Sequence, residues 1–221
     1  MDVKFKINKI HSLIAPTTAM VLALFIPSWG IGSVSFRNIN AADALPGQTP
    51  EQVADWIKVH PALKPQRGER LLIRKSDTAA RRFQFQASVL LPGLAELPGD
   101  ANTIRSEQIS FFDIINGVTR SRLEEALRSI YGAEVMRDFS KAKVTYAYPT
   151  ADMVKRSRVE NSRPLIAALR GELRLGEKFA YWIEILHNDT GRANSGQITV
   201  FDRQNLSKLE EELRKREFTL P

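Results

Sequence analysis

The sequence predicts an α+β protein: an antiparallel sheet of about five or six strands, with helices packed on one side or at the ends. One observation is that apolar segments of strand length occur in pairs joined by short turns, without regular strand–helix alternation. Another is that three capped, amphipathic segments, at 49–60, 119–131 and 205–217, are typical of helices. We expect a signal segment over residues 1–44, followed by a single exported domain over residues 45–221.

The amino-terminal segment has the layout of a secretory signal. Three lysines lie within the first ten residues, and 25 uncharged residues follow at 12–36. Small residues at Ala42 and Ala44 predict cleavage before Leu45, with cleavage after Ala41 as the alternative. An uncleaved anchor is the second interpretation, because roughly 20 apolar residues can cross a bilayer. In both cases the domain is expected outside the cytoplasm, in the periplasm or secreted.

The first elements of the expected domain are a helix and a hairpin. Thr49 can cap a helix and Pro50 suits its first position, so a helix is predicted to begin there. Residues 69–76 and 81–91 predict two strands, and in the second of them apolar residues alternate with Arg82, Gln84 and Gln86. These three residues predict a polar strip that is able to bind an extended polymer. A solvated sheet face is the alternative interpretation.

The middle of the chain combines an irregular connection with further helices. Residues 91–108 contain two Leu-Pro-Gly turns and form the longest irregular connection, a feature typical of functional loops. Residues 109–115 predict a short helix stopped by Asn116-Gly117. Ser121 and Glu124 predict a capping box for the next helix, which Gly132 ends. A strand is then predicted at Lys143–Tyr148.

The most basic stretch, 151–164, contains Lys155, Arg156, Arg158 and Arg163. On a helix these cations would form a docking surface for phosphate or carboxylate groups. The stretch contains no interleaved aromatic residue, which disfavours binding of single-stranded nucleic acid. A nucleic-acid partner is therefore not expected, and a solvated basic surface is the alternative interpretation.

The most apolar part of the expected domain is Leu165–His187, which predicts two strands joined at Gly176-Glu177. Both faces of the second strand are apolar, as in a strand covered on two sides. This hairpin is therefore predicted to form the centre of the sheet. A short strand at 197–201 and an amphipathic helix capped by Asn205 complete the domain.

Composition excludes several chemistries. The chain has no cysteine, so disulfides, thiolate catalysis and thiolate-bound metals are excluded. Its three histidines are far apart in the sequence, and no phosphate loop, dinucleotide fingerprint, nucleophile elbow or metalloprotease motif occurs. We therefore expect neither a metal site nor a cofactor. Whether the protein is an enzyme stays open, and the catalytic candidates are Glu184 and Asp113 in their apolar surroundings, with salt bridges to arginines as the alternative role.

Two runs, Arg67–Thr78 and Ser121–Gly132, resemble stretches of uncharacterised exported proteins of cyanobacteria. The resemblance implies no activity, no catalytic residues and no cofactor. It implies only that the thylakoid lumen is a further candidate destination.

The leading functional hypothesis is a non-enzymatic exported binding or assembly module that recognises a protein partner or an anionic surface. The net charge of +7, of which +5 falls outside residues 1–44, is compatible with an anionic partner. Membrane contact is expected only if the amino-terminal segment is not cleaved. The alternative is an exported hydrolase of glycan or peptide, which requires Glu184 and Asp113 to converge within roughly 5 to 9.5 Å for glycoside hydrolysis.

Overall fold

The computed structural model describes residues 46–92, 102–160, 168–188 and 190–219, with the backbone only at 156–160 and 216–219. The expected signal segment, residues 93–101 of the predicted irregular connection, and Arg163 lie outside the described residues. The described residues fall within one compact unit. Their elements, in chain order, are helix α1 (Pro50–Val59), strands β1 (Leu72–Thr78), β2 (Arg81–Ser88) and β3 (Ser106–Asp113), helix α2 (Arg120–Lys141), strand β4 (Lys143–Tyr148), helix α3 (Ala151–Glu160), strands β5 (Leu169–Leu175), β6 (Phe179–His187) and β7 (Ala193–Asp202), and helix α4 (Leu206–Thr219).

The seven strands form one antiparallel sheet in the order β1-β2-β3-β7-β6-β5-β4, which confirms the predicted α+β class. The hairpin β5–β6 forms as predicted, but the middle of the sheet is β7. This strand is longer than predicted because Ser195 and Gly196, which resemble turn residues, pair with Phe112 and Phe111 of β3. A side chain at Gly196 would lie 2.9 Å from Val118 Cγ1, so glycine permits this close packing.

Strand β3 corrects the prediction of a short helix at 109–115. It pairs along its length with β2 and along most of its length with β7, and Ile109 is fully buried between Phe85 and Ile198. The local spacing of apolar residues suits either a helix or a strand, so the pairing partners decide the structure. The partners in β2 lie 18 to 32 residues earlier in the chain and those in β7 lie 83 to 95 residues later, beyond the reach of a local pattern.

Helices cover both faces of the sheet, not one side alone. One core joins α1 and α2 to the sheet and includes Trp56, Leu127 and Tyr181. The second core joins α4 to the other face and includes Trp182 and Leu209. Since Tyr181 and Trp182 are neighbours on β6 and point to opposite faces, this strand is covered on two sides, as its sequence predicts.

The helix ends follow local chemistry, with two corrections. Thr49 caps α1 in a capping box with Gln52, as predicted. Helix α2 starts where the predicted segment 119–131 starts, but its cap is Thr119 and not Ser121. The predicted capping box does not form, and the Glu124 carboxylate pairs with Arg120. Gly132, at φ 78°, interrupts α2 where the sequence predicts a helix end. Before α4, Asp202 caps a single 3₁₀ turn, a role expected of Asn205.

Candidate functional site

The most polar part of the sheet is the side of β1, β2, β3 and β7 that faces away from α1 and α2, here called the polar face. Strand alternation places polar side chains there because the other side carries the first core. The cross-strand register aligns Arg74, Gln84, Ser110 and Gln197 in one row, and Glu184 of β6 continues it. A second row contains Gln86, Gln108 and Thr199.

Hydrogen bonds link the two rows to each other and to the second core. Gln108 Nε2 donates to Gln197 Oε1, and Gln197 Nε2 donates to Glu184 Oε2 at 3.0 Å. The Tyr148 hydroxyl donates to Glu184 Oε1 at 2.6 Å and accepts from Trp182 Nε1 at 2.8 Å. Four strands therefore contribute to one network, which fixes the orientation of the Glu184 carboxylate and of the amides beside it.

Gly171 makes this arrangement possible. It stands directly opposite Tyr148 in the β4–β5 pair and opposite Glu184 in the β5–β6 pair. A Cβ atom at this position would lie 2.1 Å from Tyr148 Cζ. The tyrosine ring therefore lies across the glycine, where its hydroxyl reaches the carboxylate.

A groove of about 470 Å³ occupies the part of the polar face nearest β1. Its polar-face lining consists of amide, hydroxyl, guanidinium and phenyl groups: Arg74, Ser76, Arg82, Gln84, Ser110, Phe112 and Ser195. Arg74 and Arg82 are exposed, and among the described residues neither has a carboxylate partner. The Arg82 guanidinium carbon lies 4.4 Å from the centre of the Phe112 ring, so the ring helps to orient it.

The structure separates the predicted binding residues into two groups. Arg82 and Gln84 line the groove, while Gln86 lies in the next row and accepts a hydrogen bond from Gln84 at 3.3 Å. Lys155 is exposed on α3, which follows the opposite edge strand β4. Arg156 and Arg158 belong to α3 by their backbone, and their side chains are not among those described. The basic stretch and the polar strip therefore do not combine within the described structure.

The two catalytic candidates lie on opposite faces of the sheet. Asp113 shares the α2 face with Ile109, is 1% exposed and accepts a hydrogen bond from Arg122 Nη1 at 2.6 Å. The backbone N–H of Asn116 and then the Arg122 guanidinium lower the pKa of Asp113 to about 2, despite burial. Glu184 is half-buried on the polar-face side, in the network with Tyr148. The two carboxylates thus share no cleft, and the geometry gives no support to a two-carboxylate mechanism.

Sequence reasoning did not find Gln108, Ser110, Gln197 or Tyr148. The available signal was the alternation of Ser106, Gln108 and Ser110 with larger or apolar residues, which the helix prediction for this region obscured. Tyr148 was predicted to lie on a strand, but its proximity to Glu184 depends on the β4–β5–β6 register. That register depends on contacts between distant segments, so it could not be predicted from the local sequence.

A second groove, of about 340 Å³, lies on the α2 side of the sheet between Phe83, Phe111 and Ile130. Its cations are held by protein groups: Lys75 Nζ donates to the Ala62 carbonyl at 2.6 Å, and Arg122 pairs with Asp113. Burial lowers the pKa of Lys75. Because the arginines of the polar face are unpaired among the described residues, that face is the stronger candidate for a binding site.

Comparison with family models, with curated proteins and with solved structures found no match to this chain. Within the described ranges, no three histidine, aspartate or glutamate side chains come together in a way that could hold a metal ion. None of the helices in those ranges is long and apolar enough to cross a membrane.

Proposed function

We propose that the protein is a non-enzymatic binding or assembly module that acts outside the cytoplasm and recognises an anionic protein partner or an anionic surface through the groove of the polar face. One observation carries this proposal. Arg74 and Arg82 stand exposed and without carboxylate partners among the described residues, beside a row of oriented amides and hydroxyls.

The two arginines supply attraction, and the neighbouring groups supply recognition. An ion pair exposed to water contributes at most about 1 kcal/mol, so two arginines alone would bind weakly. The side chains of Gln84, Ser110 and Ser195 have both donor and acceptor groups, which suits a partner carrying amides or hydroxyls beside its carboxylates. Simultaneous contacts along the row would raise the affinity of an extended ligand.

The chemistry of the groove favours binding over catalysis. The side chains that line it from the polar face are amides, hydroxyls, guanidinium groups and one phenyl ring. Amides, hydroxyls of serine, guanidinium groups and phenyl rings are not among the groups that usually act as general acids or bases in enzymes. Glu184 lies beyond the lining, where Tyr148 and Gln197 both donate to it.

A charge-matched pair of variants tests the proposal. R74Q/R82Q removes both groove cations, while R128Q/R137Q removes two exposed arginines of α2. On columns of polyglutamate and of dextran sulfate, we expect R74Q/R82Q to elute at lower salt than the wild type and R128Q/R137Q to elute close to the wild type. An equal shift for both variants would mean that net charge alone, and not the groove, attracts the polymer.

A second measurement identifies a physiological partner. Cross-linking followed by recovery of the protein from the exported fraction is expected to return an acidic partner with the wild type and with R128Q/R137Q. The same partner should be depleted with R74Q/R82Q. Recovery that does not differ between the two variants would contradict a role for the groove.

A further inference from the structure

Two isoleucines project from the end of the sheet, at the turn that follows β3. Ile114 is 50% exposed and Ile115 is 58% exposed, and the turn that they form is here called the isoleucine tip. Five large apolar side chains are exposed among the described residues, and three of them, Ile114, Ile115 and Leu186, lie at this end of the sheet. Single exposed apolar residues are common in soluble proteins, but such a concentration at one end is a feature of interaction surfaces.

Hydrogen bonds from three parts of the chain hold the backbone of the isoleucine tip. Asp113 Oδ1 accepts from the backbone N–H of Ile115 at 3.0 Å and from that of Asn116 at 2.8 Å. Ile114 N donates to the Ala80 carbonyl at 3.0 Å, and Arg192 Nη2 donates to the carbonyls of Ile114, at 2.8 Å, and Ile115. The turn therefore presents its two side chains to solvent in a fixed position.

Two arginines lie at the isoleucine tip or beside the strand that leads to it. Arg192 contacts the isoleucine tip directly, and Arg82 lies over Phe112, two residues before Ile114. Neither arginine has a carboxylate partner within the described part of the chain. Apolar side chains next to arginines match the interface of a lipid bilayer, where apolar groups are buried roughly 5 to 10 Å into the boundary of headgroups and acyl chains while cations attract anionic lipids. A hydrophilic polymer would pair with the arginines but would leave the isoleucines in water.

We propose that the isoleucine tip inserts into the interface of an anionic lipid bilayer, with Arg82 and Arg192 on the headgroup phosphates. This inference rests on the proposed function, because it names the lipid bilayer as the anionic surface that the module recognises. The contact is made by the folded domain and does not require the amino-terminal segment to stay in the membrane.

A single fluorescent label tests insertion in the full chain. The chain has no cysteine, so I115C provides one attachment point for an environment-sensitive nitrobenzoxadiazole dye. V59C is the matched control, since Val59 is also 58% exposed and lies on α1. With vesicles of phosphatidylglycerol and phosphatidylcholine, we expect a blue shift and brighter emission at position 115 and none at position 59. Pure phosphatidylcholine vesicles should give a much smaller response.

Cosedimentation supplies a second measurement that needs no label. I114S/I115S is expected to bind phosphatidylglycerol vesicles roughly tenfold more weakly, or worse, because two large apolar side chains no longer leave water. V59S should bind like the wild type. The proposal is overturned by equal dye responses at positions 115 and 59, by no response at 115, by a response indifferent to anionic lipid, or by unchanged binding of I114S/I115S.

The outcomes separate this inference from the proposed function. If position 115 inserts but R74Q/R82Q elutes from polyanion columns like R128Q/R137Q, the isoleucine tip is supported and the groove is not. If R74Q/R82Q alone loses polyanion binding while position 115 gives no response, the groove is supported and insertion fails.

Discussion

Glu107 is the clearest case of a single residue whose surroundings control its chemistry. It lies on β3, is completely buried, and accepts one hydrogen bond, from the Tyr131 hydroxyl at 2.6 Å. Its other oxygen, Oε1, has no partner among the described residues. Burial raises the pKa of Glu107 to about 7, against the opposing effect of the Tyr131 hydrogen bond. The folded protein therefore binds a proton that the unfolded chain releases.

The pH dependence of stability follows from this shift. Below the ordinary pKa of 4.5 the carboxyl is protonated in both states and contributes no difference. As the pH rises from 4.5 to about 7, the unfolded chain ionises first, so the wild type loses stability, up to about 3 kcal/mol in all. E107Q cannot ionise, and its stability relative to the wild type should increase over this range. Urea unfolding at several pH values measures the difference in unfolding free energy between E107Q and the wild type. A difference that does not change with pH would contradict the prediction.

Tyr148 and Gly171 form a pair in which one residue sets the position of the other. The ring of Tyr148 occupies the space that a side chain at position 171 would fill. Its hydroxyl connects Trp182 to Glu184. Tyr148 can take this position only because residue 171 is a glycine. The polar network therefore also depends on that glycine.

G171A should destabilise the protein by about 2 kcal/mol, because the added methyl displaces the tyrosine ring from a packed core. In a Y148A background the same substitution should cost nothing, or stabilise slightly, since alanine is less flexible than glycine in a strand. A double-mutant cycle from chemical unfolding measures this coupling. Equal costs in the two backgrounds would show that another neighbour causes the strain.

At the scale of elements, Asp138 joins α2 to the turn between β5 and β6. Its carboxylate accepts from the backbone N–H groups of Glu177, Lys178 and Phe179 and from the Tyr181 hydroxyl at 2.7 Å. The break at Gly132 gives the second half of α2 its own direction, and Asp138 lies in that half. The turn is therefore fixed by a residue about 40 positions earlier in the chain.

D138A should cost about 3 kcal/mol, because the buried Tyr181 hydroxyl and three part-buried backbone N–H groups lose their acceptor. Amide exchange at residues 177–179 should accelerate more than exchange in β2, which is remote from Asp138. D138N, which keeps one acceptor oxygen, should lie between the wild type and D138A in both measurements. Unchanged exchange at 177–179 in D138A would show that the turn is held by β5–β6 pairing alone.

Local sequence patterns predicted an element correctly where interactions between neighbouring residues determine its structure. The cap at Thr49, the break at Gly132 and the strand at Lys143–Tyr148 each depend on a few neighbouring residues. Prediction failed at β3, where apolar spacing is ambiguous, and at the start of β7, where Ser195 and Gly196 resemble a turn. In both places distant strands supply the hydrogen bonds that decide the backbone conformation.

At the scale of the whole molecule, export is an expectation of the sequence alone. Cleavage is expected before Leu45 or after Ala41, and replacing Ala44 with phenylalanine should slow the first of these, because a bulky side chain does not suit the peptidase site. Amino-terminal sequencing of the native and A44F proteins measures both sites. An intact Met1 in a carbonate-resistant membrane pellet would indicate an anchor, and recovery from the cytosol would contradict export.

The sequence alone predicts the α+β class, the hairpins β1–β2 and β5–β6, the two-sided cover of β6 and the polar strip at Arg82, Gln84 and Gln86. Each of these follows from periodicity, turns or caps within about twenty residues. Tertiary contacts alone place β7 in the middle of the sheet, bring Tyr148 to Glu184, and separate Asp113 from Glu184 on opposite faces. Strand order and register are long-range choices, made by burying both apolar faces of the sheet at once, and no local pattern encodes them.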